Sequence, residues 1–345
     1  MLREKHILRP SFPTPVEVIA DDINFMWRYV GKRLLHLIPL LIGMTFLSFL
    51  VMQLVPGDYF TKLSLDPQIS PETLQLMRQQ FGLGANPAVQ YLKWLRNLAT
   101  LNLGVSFVYH IPVATLIRER LINTLFLSLV TLFLTWLVSV PLGVLAAIKA
   151  HKPVDKMLSV FAFTSISLPS FFLALLFLVF AARTGLFPLG GSQGVFAGEF
   201  SAPLRFADRF WHVSLPALVL TIVGFGGLFR VTRANFLENL SAPFVTALRG
   251  KGLTEKRVFR HVLRNSLNPL ITLLGYELSG LLSGVALVEI ILSWPGIGQL
   301  MLSAVMSQDL YVVMASLFFG GLLLVAGNLL ADILLAANDP RIRLG

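Results

Sequence analysis

The chain has 345 residues, 55% of them hydrophobic and only 13% charged, against roughly 25% charged in ordinary soluble domains. It has no cysteine, which excludes disulfides, thiolate metal sites and cysteine nucleophiles. The net charge of +10 suggests nucleic acid only until it is located: the basic residues lie between long apolar runs, the pattern of cytoplasmic loops in membrane proteins.

Residues 1–33 are polar at first, carry RPSFPTP, and lack the apolar core of a secretory signal. Within them Ile19, Ile23, Met26 and Val30 recur at helical intervals beside Trp27, Arg28, Lys32 and Arg33. That pattern fits a helix on the inner membrane face as well as a mobile polar tail. The first apolar run, 34–57, is too long for a signal core and is expected to remain as an anchor. In the polar stretch 58–120, PETLQLMRQQFGL and PAVQYLKWLRNLATL show helical spacing with proline near their starts. Further apolar intervals at 121–148, 157–182, 212–229, 269–292 and 310–337 complete six expected spans, each near the roughly 20 residues that cross a bilayer. The fifth ends at SWPGIG, a turn sequence. The expectation is an all-α membrane protein with no separate soluble domain.

Orientation follows from lysine and arginine. With the N-terminus inside, the segments 1–33, 149–156, 230–264 and 338–345 hold 19 of the 28 basic residues. The outer segments 183–209 and 293–309 hold 3, and 58–120 is too long for its charges to count. Both termini are therefore expected in the cytoplasm.

The inner segment 230–264 contains the densest charge: 247–270 reads ALRGKGLTEKRVFRHVLRNSLNPL, with six basic residues and one acid. A helix is expected from Thr254, with Lys256, Arg257, Arg260 and Arg264 on one arc and Val258, Phe259, Val262 and Leu263 on the other. Gly250 and Gly252 permit a reversal of the chain because glycine tolerates positive φ. From topology alone this is equally an ordinary basic loop.

FVTALRGKGLTEKRVFRHVLRNSLNPLITLLG resembles the cytoplasmic loop of bacterial ABC-importer permeases, built round the EAA motif, and most nearly that of the dipeptide/oligopeptide branch. Thr246, Ala247 and Leu248 stand in the E-A-A places and Gly252 in the glycine place. Only Ala247 matches literally among the first three, and Pro243 and Phe244 stand where the branch commonly has an acid and tyrosine. The resemblance continues through WRYVGKRLLHLIPLLIGMTFLSFLVMQLVPGD, LNLGVSF, PVATLIRERLINTLFLSL, VPLGVLAAIKAHKPVDK, SLPSFFLALLF, LFPLGG, HVSLPALVL, VEIILSWPGIGQL and DPRIRL, in the family's order.

The resemblance implies a type I ABC-importer permease in the bacterial inner membrane, with a cytoplasmic coupling loop. Its partners would be a second homologous permease, two cytoplasmic ATP-binding subunits that use ATP and Mg, and an extracytoplasmic solute-binding protein touching 58–120 and 183–209. This chain would bind no cofactor itself. Peptides lead as substrate, with nickel complexes, opines or oligosaccharides as alternatives. It implies that Phe244, Thr246, Ala247, Leu248, Gly250 and Gly252 form the docking segment, with Arg249, Lys251 and Lys256 holding the partner or membrane lipid.

RGKGLT is not a phosphate loop, because Val245 and Gly252 stand where glycine and Ser/Thr are required. Glu277, Glu289 and Asp332 lie in or beside apolar runs, where an acid either lines a route or pairs structurally. Trp294 suits the outer membrane interface and Pro295 a turn, and both also fit a gate. GLLSG at 280–284 permits a close helix contact. The six histidines show no metal spacing and no G-x-S-x-G occurs. A secondary transporter or channel and an intramembrane enzyme remain the alternatives from other classes.

Overall fold

A computed structural model describes residues 15–338 except 66 and 83, with side chains also left out at scattered helix positions, chiefly 15–30 and 278–284. The tails 1–14 and 339–345, and the side chains of GLLSG, thus lie outside the described residues. Among those described the chain is helical, with one isolated bridge, Val105 to Pro112.

In order the helices are α1 (Pro15–Leu54), α2 (Tyr59–Leu63), α3 (Pro71–Gln80), α4 (Pro87–Ala99), α5 (Val113–Ile148), α6 (Pro153–Ser167), α7 (Ser170–Thr184), α8 (Ala202–Ser241), α9 (Pro243–Gly250), α10 (Glu255–Gly284), α11 (Ala286–Ile291), α12 (Ile297–Ser307) and α13 (Leu310–Asn338). By length and composition four are able to cross a membrane, in Gly31–Leu63, Val113–Ile148, Ala202–Ser241 and Leu310–Leu330. α6 and α7 make a fifth if counted together, although they bend by 104°. The expected third span, 157–182, is therefore broken. Pro169 lacks an N–H, and it pushes Leu168 into the extended region (φ −86°, ψ 127°), which ends α6. The expected fifth span falls on the second half of α10 and on α11. The interfacial helix considered near residues 19–30 is continuous with the first apolar run in α1.

α5 and α8 form the central seam. On α5 the buried Thr124, Ser128, Thr131, Thr135 and Ser139 recur at three- and four-residue steps. Such small residues let helix backbones approach where lipid provides no hydrophobic drive. At Gly143 a Cβ would lie 3.0 Å from the Phe229 carbonyl and 2.8 Å from Thr232, and Gly224 lies against Thr135. The end of the seam away from the basic segment is closed by a cluster of Leu127, Val213, Leu215, Val288 and Trp294 from α5, α8, α11 and the turn that follows.

The segment 58–120 folds onto this body. Ser70 and Asn86 cap α3 and α4, each with proline at the first helical positions, as their sequences imply. Phe60, Phe81, Phe107 and Tyr311 pack edge to face or tilted, and the Tyr311 hydroxyl donates to the Phe81 carbonyl at 2.7 Å.

Candidate functional site

The basic segment 230–264 is a helical hairpin rather than a loop. α8 continues to Ser241, α9 follows at once, and α10 starts at Glu255 and runs on toward Gly284. α9 begins where Pro243 occupies the first turn, a position at which a missing N–H costs nothing.

Its end is a complete left-handed cap. Gly252 has φ +78°. The Leu253 amide donates to the Leu248 carbonyl at 3.2 Å and the Gly252 amide to the Arg249 carbonyl at 2.9 Å. These are the two hydrogen bonds of the Schellman motif, and Leu248 and Leu253 share the apolar cluster beneath, as that motif requires. The chain then enters α10 through Thr254, whose extended backbone fits the N-cap position but whose hydroxyl makes no capping bond. Arg249 closes the turn from outside, donating to both carboxylate oxygens of Glu255 at 2.9 and 3.1 Å. This bidentate contact holds the Glu255 carboxyl below its ordinary value and raises the Arg249 guanidinium.

One side of the hairpin is seated. Val245 is buried against Val144 and Ala147 of α5, Phe236 of α8, and Val258 and Val262 of α10. Burying each such side chain contributes about 1.5–3 kcal/mol, which fixes α9 to three helices at once. Phe244 and Leu248 are half-buried in the same cluster, so they serve the seat as much as any partner. Thr246, Ala247, Arg249, Gly250, Lys251, Gly252 and Lys256 remain exposed. The expected basic arc of α10 is exposed too, while Phe259 stays partly open against Phe236. Arg249, expected to hold a partner or lipid, pairs with Glu255 within the chain and stays exposed.

The residues considered for a path or gate lie elsewhere and separate into two places. Glu277 is half-buried on α10 and accepts a hydrogen bond from the Trp136 indole of α5 at 2.8 Å. Glu289 is fully buried, and the SWPGIG turn wraps round it. Its carboxylate accepts from the Thr124 hydroxyl at 2.6 Å and the Gly298 amide at 2.8 Å. A side chain at Gly296 would run into that carboxylate. Thr124 in turn accepts from the Ile297 amide at 2.9 Å, and Asn123 donates to the Pro295 carbonyl at 2.9 Å. Trp294 is packed inside the chain rather than on its surface: it is 1% exposed and its indole donates to the Asn123 carbonyl at 3.2 Å. The turn reverses the chain inward because a buried carboxylate needs donors, and the backbone after the proline supplies them. Glu289 also borders a largely apolar cavity of about 230 Å³ between α1, α5, α12 and α13. Asp332 pairs with Arg33 at 3.0 Å, joining α13 to α1.

Two further ties join segments far apart in the chain. Arg233 of α8 donates at 2.6 and 2.7 Å to the buried Asp155 of α6. Asp309, between α12 and α13, accepts from the Ser106 hydroxyl at 2.5 Å and the Phe107 amide at 2.8 Å, fixing the segment 58–120 to the long apolar helices. Burial pushes the Asp309 carboxyl up, against the pull of these donors. Neither pairing has a short-range signature, since the partners are 78 and about 200 residues apart.

Residues 139–344 match the family model described as binding-protein-dependent transport system inner membrane component, and residues 26–130 match the model of its N-terminal region. The oligopeptide transport system permease protein AppB of Bacillus subtilis is 39% identical over 320 residues, covering 92% of this chain and 99% of that protein. The glutathione transport system permease protein GsiC of Escherichia coli is 33% identical, with the same coverage of both chains.

Proposed function

This chain belongs to the family of binding-protein-dependent transport system inner membrane components, and on that premise we propose that it is the permease of an ATP-driven peptide importer. It forms half of the path, with a second, homologous permease forming the other half. Two cytoplasmic ATP-binding subunits supply the energy, and this chain hydrolyses nothing. A solute-binding protein delivers peptide to the outer segments 58–120 and 183–209. Both termini and the hairpin face the cytoplasm, in keeping with the lysine and arginine bias. The names of the relatives favour peptides, from glutathione to oligopeptides, as the substrate class.

The observation that carries this reading is the hairpin. α9 is seated on three helices on one side, exposes Thr246, Ala247, Gly250 and Lys251 on the other, and is capped by a fixed turn leading into the 30-residue α10. A push on its exposed face moves α8 and α10 as levers, because nothing loose separates them from it. That is what coupling to an external motor needs, and neither an ion-driven carrier nor an intramembrane enzyme needs it. The test is uptake of labelled peptide into proteoliposomes holding both permeases, with the binding protein outside and ATP on the ATPase side. Uptake is expected only when the ATP-binding subunits are included. Accumulation driven by an ion gradient in their absence would overturn the proposal.

A further inference from the structure

A cleft between α6 and α8 takes no part in the coupling just described. At one end the two helices touch: Gly226 lies against the Ala162 carbonyl and the Ser165 hydroxyl with no room for a Cβ. At the other end they are tied by the two hydrogen bonds from Arg233 to Asp155. Between these points they part around a space of about 550 Å³, at the level where α8 leaves its apolar stretch. Nothing lies within 4 Å of the missing side chain of Gly227, so this glycine keeps the wall open.

The lining divides by chemistry. Phe163 and Val231 are exposed apolar walls, and Ser159, Arg230 and Arg233 are polar. The Arg230 guanidinium stands 4.9 Å from the centre of the Phe163 ring and is exposed. It makes no ion pair among the described residues. Lys156, three residues before Ser159 and seven before Phe163, lies on the same face of α6 and is exposed as well. The acid of the cleft, Asp155, is already occupied by Arg233 and by the His151 amide at 2.8 Å. Arg230 and Lys156 thus leave two positive charges beside an apolar trough.

We propose that this cleft binds one anionic phospholipid, with its phosphate on Arg230 and Lys156 and an acyl chain along Phe163 and Val231. Basic pockets between helices at the cytoplasmic level suit anionic headgroups, and a cation held over an aromatic ring is partly desolvated already. A free phosphate leaves the apolar walls unused. A protein surface placed here without an acid would bury Arg230 unpaired, which is costly. The inference rests on the chain's place in an inner membrane and on the proposed cytoplasmic side of the hairpin, and not on what is transported or how it is driven.

The test uses the complete transporter in detergent, offered equal amounts of phosphatidylglycerol and phosphatidylcholine, with native mass spectrometry counting the retained lipid. Phosphatidylglycerol is expected to be retained preferentially. Arg230→Ala should lower that preference about fivefold, the equivalent of ~1 kcal/mol for one interfacial cation at 1.4 kcal/mol per tenfold. Phe163→Ala should lower retention of both lipids alike. If Arg230→Ala does not assemble, Lys156→Ala reads the same contact. Equal retention of the two lipids, an unchanged preference in the variants, or displacement by millimolar inorganic phosphate would overturn the proposal. So would a photo-reactive group at Val231 that labels the second permease in a bilayer rather than lipid.

Discussion

Gly252 offers a way to separate backbone geometry from bulk in the hairpin. Its φ is +78°, and nothing lies within 4 Å of the position a Cβ would take. A substitution here therefore meets no neighbour within the chain, and its cost lies in the backbone. Holding an L-residue in the left-handed region costs about 1–2 kcal/mol, and asparagine pays less because its short polar side chain bonds locally. At 1.4 kcal/mol per tenfold, Gly252→Val should lower the closed-to-open ratio of the turn about 5–30-fold, with Gly252→Asn close to the native protein and Gly252→Ala between them. An open turn loses the amide bonds of Gly252 and Leu253 and slackens the link between the end of α9 and the start of α10. The assay is proteoliposomes of the assembled transporter, with ATP hydrolysis and peptide uptake measured together. Peptide carried per ATP should fall in the order Gly, Asn, Ala, Val while hydrolysis continues and the helical circular dichroism is unchanged. A valine variant that transports at the native ratio would refute the reasoning. An asparagine variant as damaged as valine would show that size against a partner matters, and not φ.

Three further outcomes follow from other parts of the molecule. Glu289→Ala leaves the Thr124 hydroxyl and Gly298 amide without their acceptor, at about 1–3 kcal/mol each, so its melting midpoint in detergent should drop well below that of Glu289→Gln; equal midpoints would remove the turn's dependence on the carboxylate. Arg233→Ala strands the buried Asp155 and should cost part of the roughly 3–5 kcal/mol of a fully buried pair, since Arg233 keeps 25% of its side-chain exposure. Asp155→Asn in the same background should recover some of that loss, and no recovery would mean that packing rather than charge is what Arg233 supplies. The third concerns pH. Glu255 titrates below its ordinary value of 4.5, so the clasp to Arg249 is intact above that value and is lost as pH falls through the lowered one. Protection of the Gly252 and Leu253 amides, taken relative to the intrinsic exchange rate at each pH, should fall in that acidic window in the native protein and stay constant there in Glu255→Gln. Protection that changes with pH equally in both would exclude the clasp.

Much of this was legible in the sequence because it is written at short range. Apolar runs mark α1, α5, α8 and α13. Ser70–Pro71 and Asn86–Pro87 mark the outer helices, and the valine arc of α10 marks the seated face. The Leu248–Gly252–Leu253 spacing even contains the Schellman cap, although only the glycine was read from it. What was missed needs partners that only the fold brings together. The 104° bend at Pro169 was hidden because the apolar run continues through it, and hydropathy does not register a missing N–H. Trp294 suits an interface by its residue type, and nothing local shows that its indole finds a carbonyl on α5. Glu289 sits in an apolar interval with no local sign that Thr124 awaits it. Arg249 carries the charge expected of a docking residue, but Glu255 is six positions away, outside helical spacing, and takes it.

The claim on which the account depends is that the exposed face of α9 meets the ATP-binding subunits. The chain has no cysteine, so a single Ala247→Cys introduces one thiol on that face. With a second cysteine on the nucleotide-binding partner, oxidation of the assembled transporter should yield a crosslink between the two chains and block ATP-driven uptake, and reduction should restore it. A matched cysteine at Val195, in the outer segment, should give no such product. If Ala247→Cys never crosslinks, while Val195→Cys does or uptake survives the bond, the hairpin is not where the motor acts.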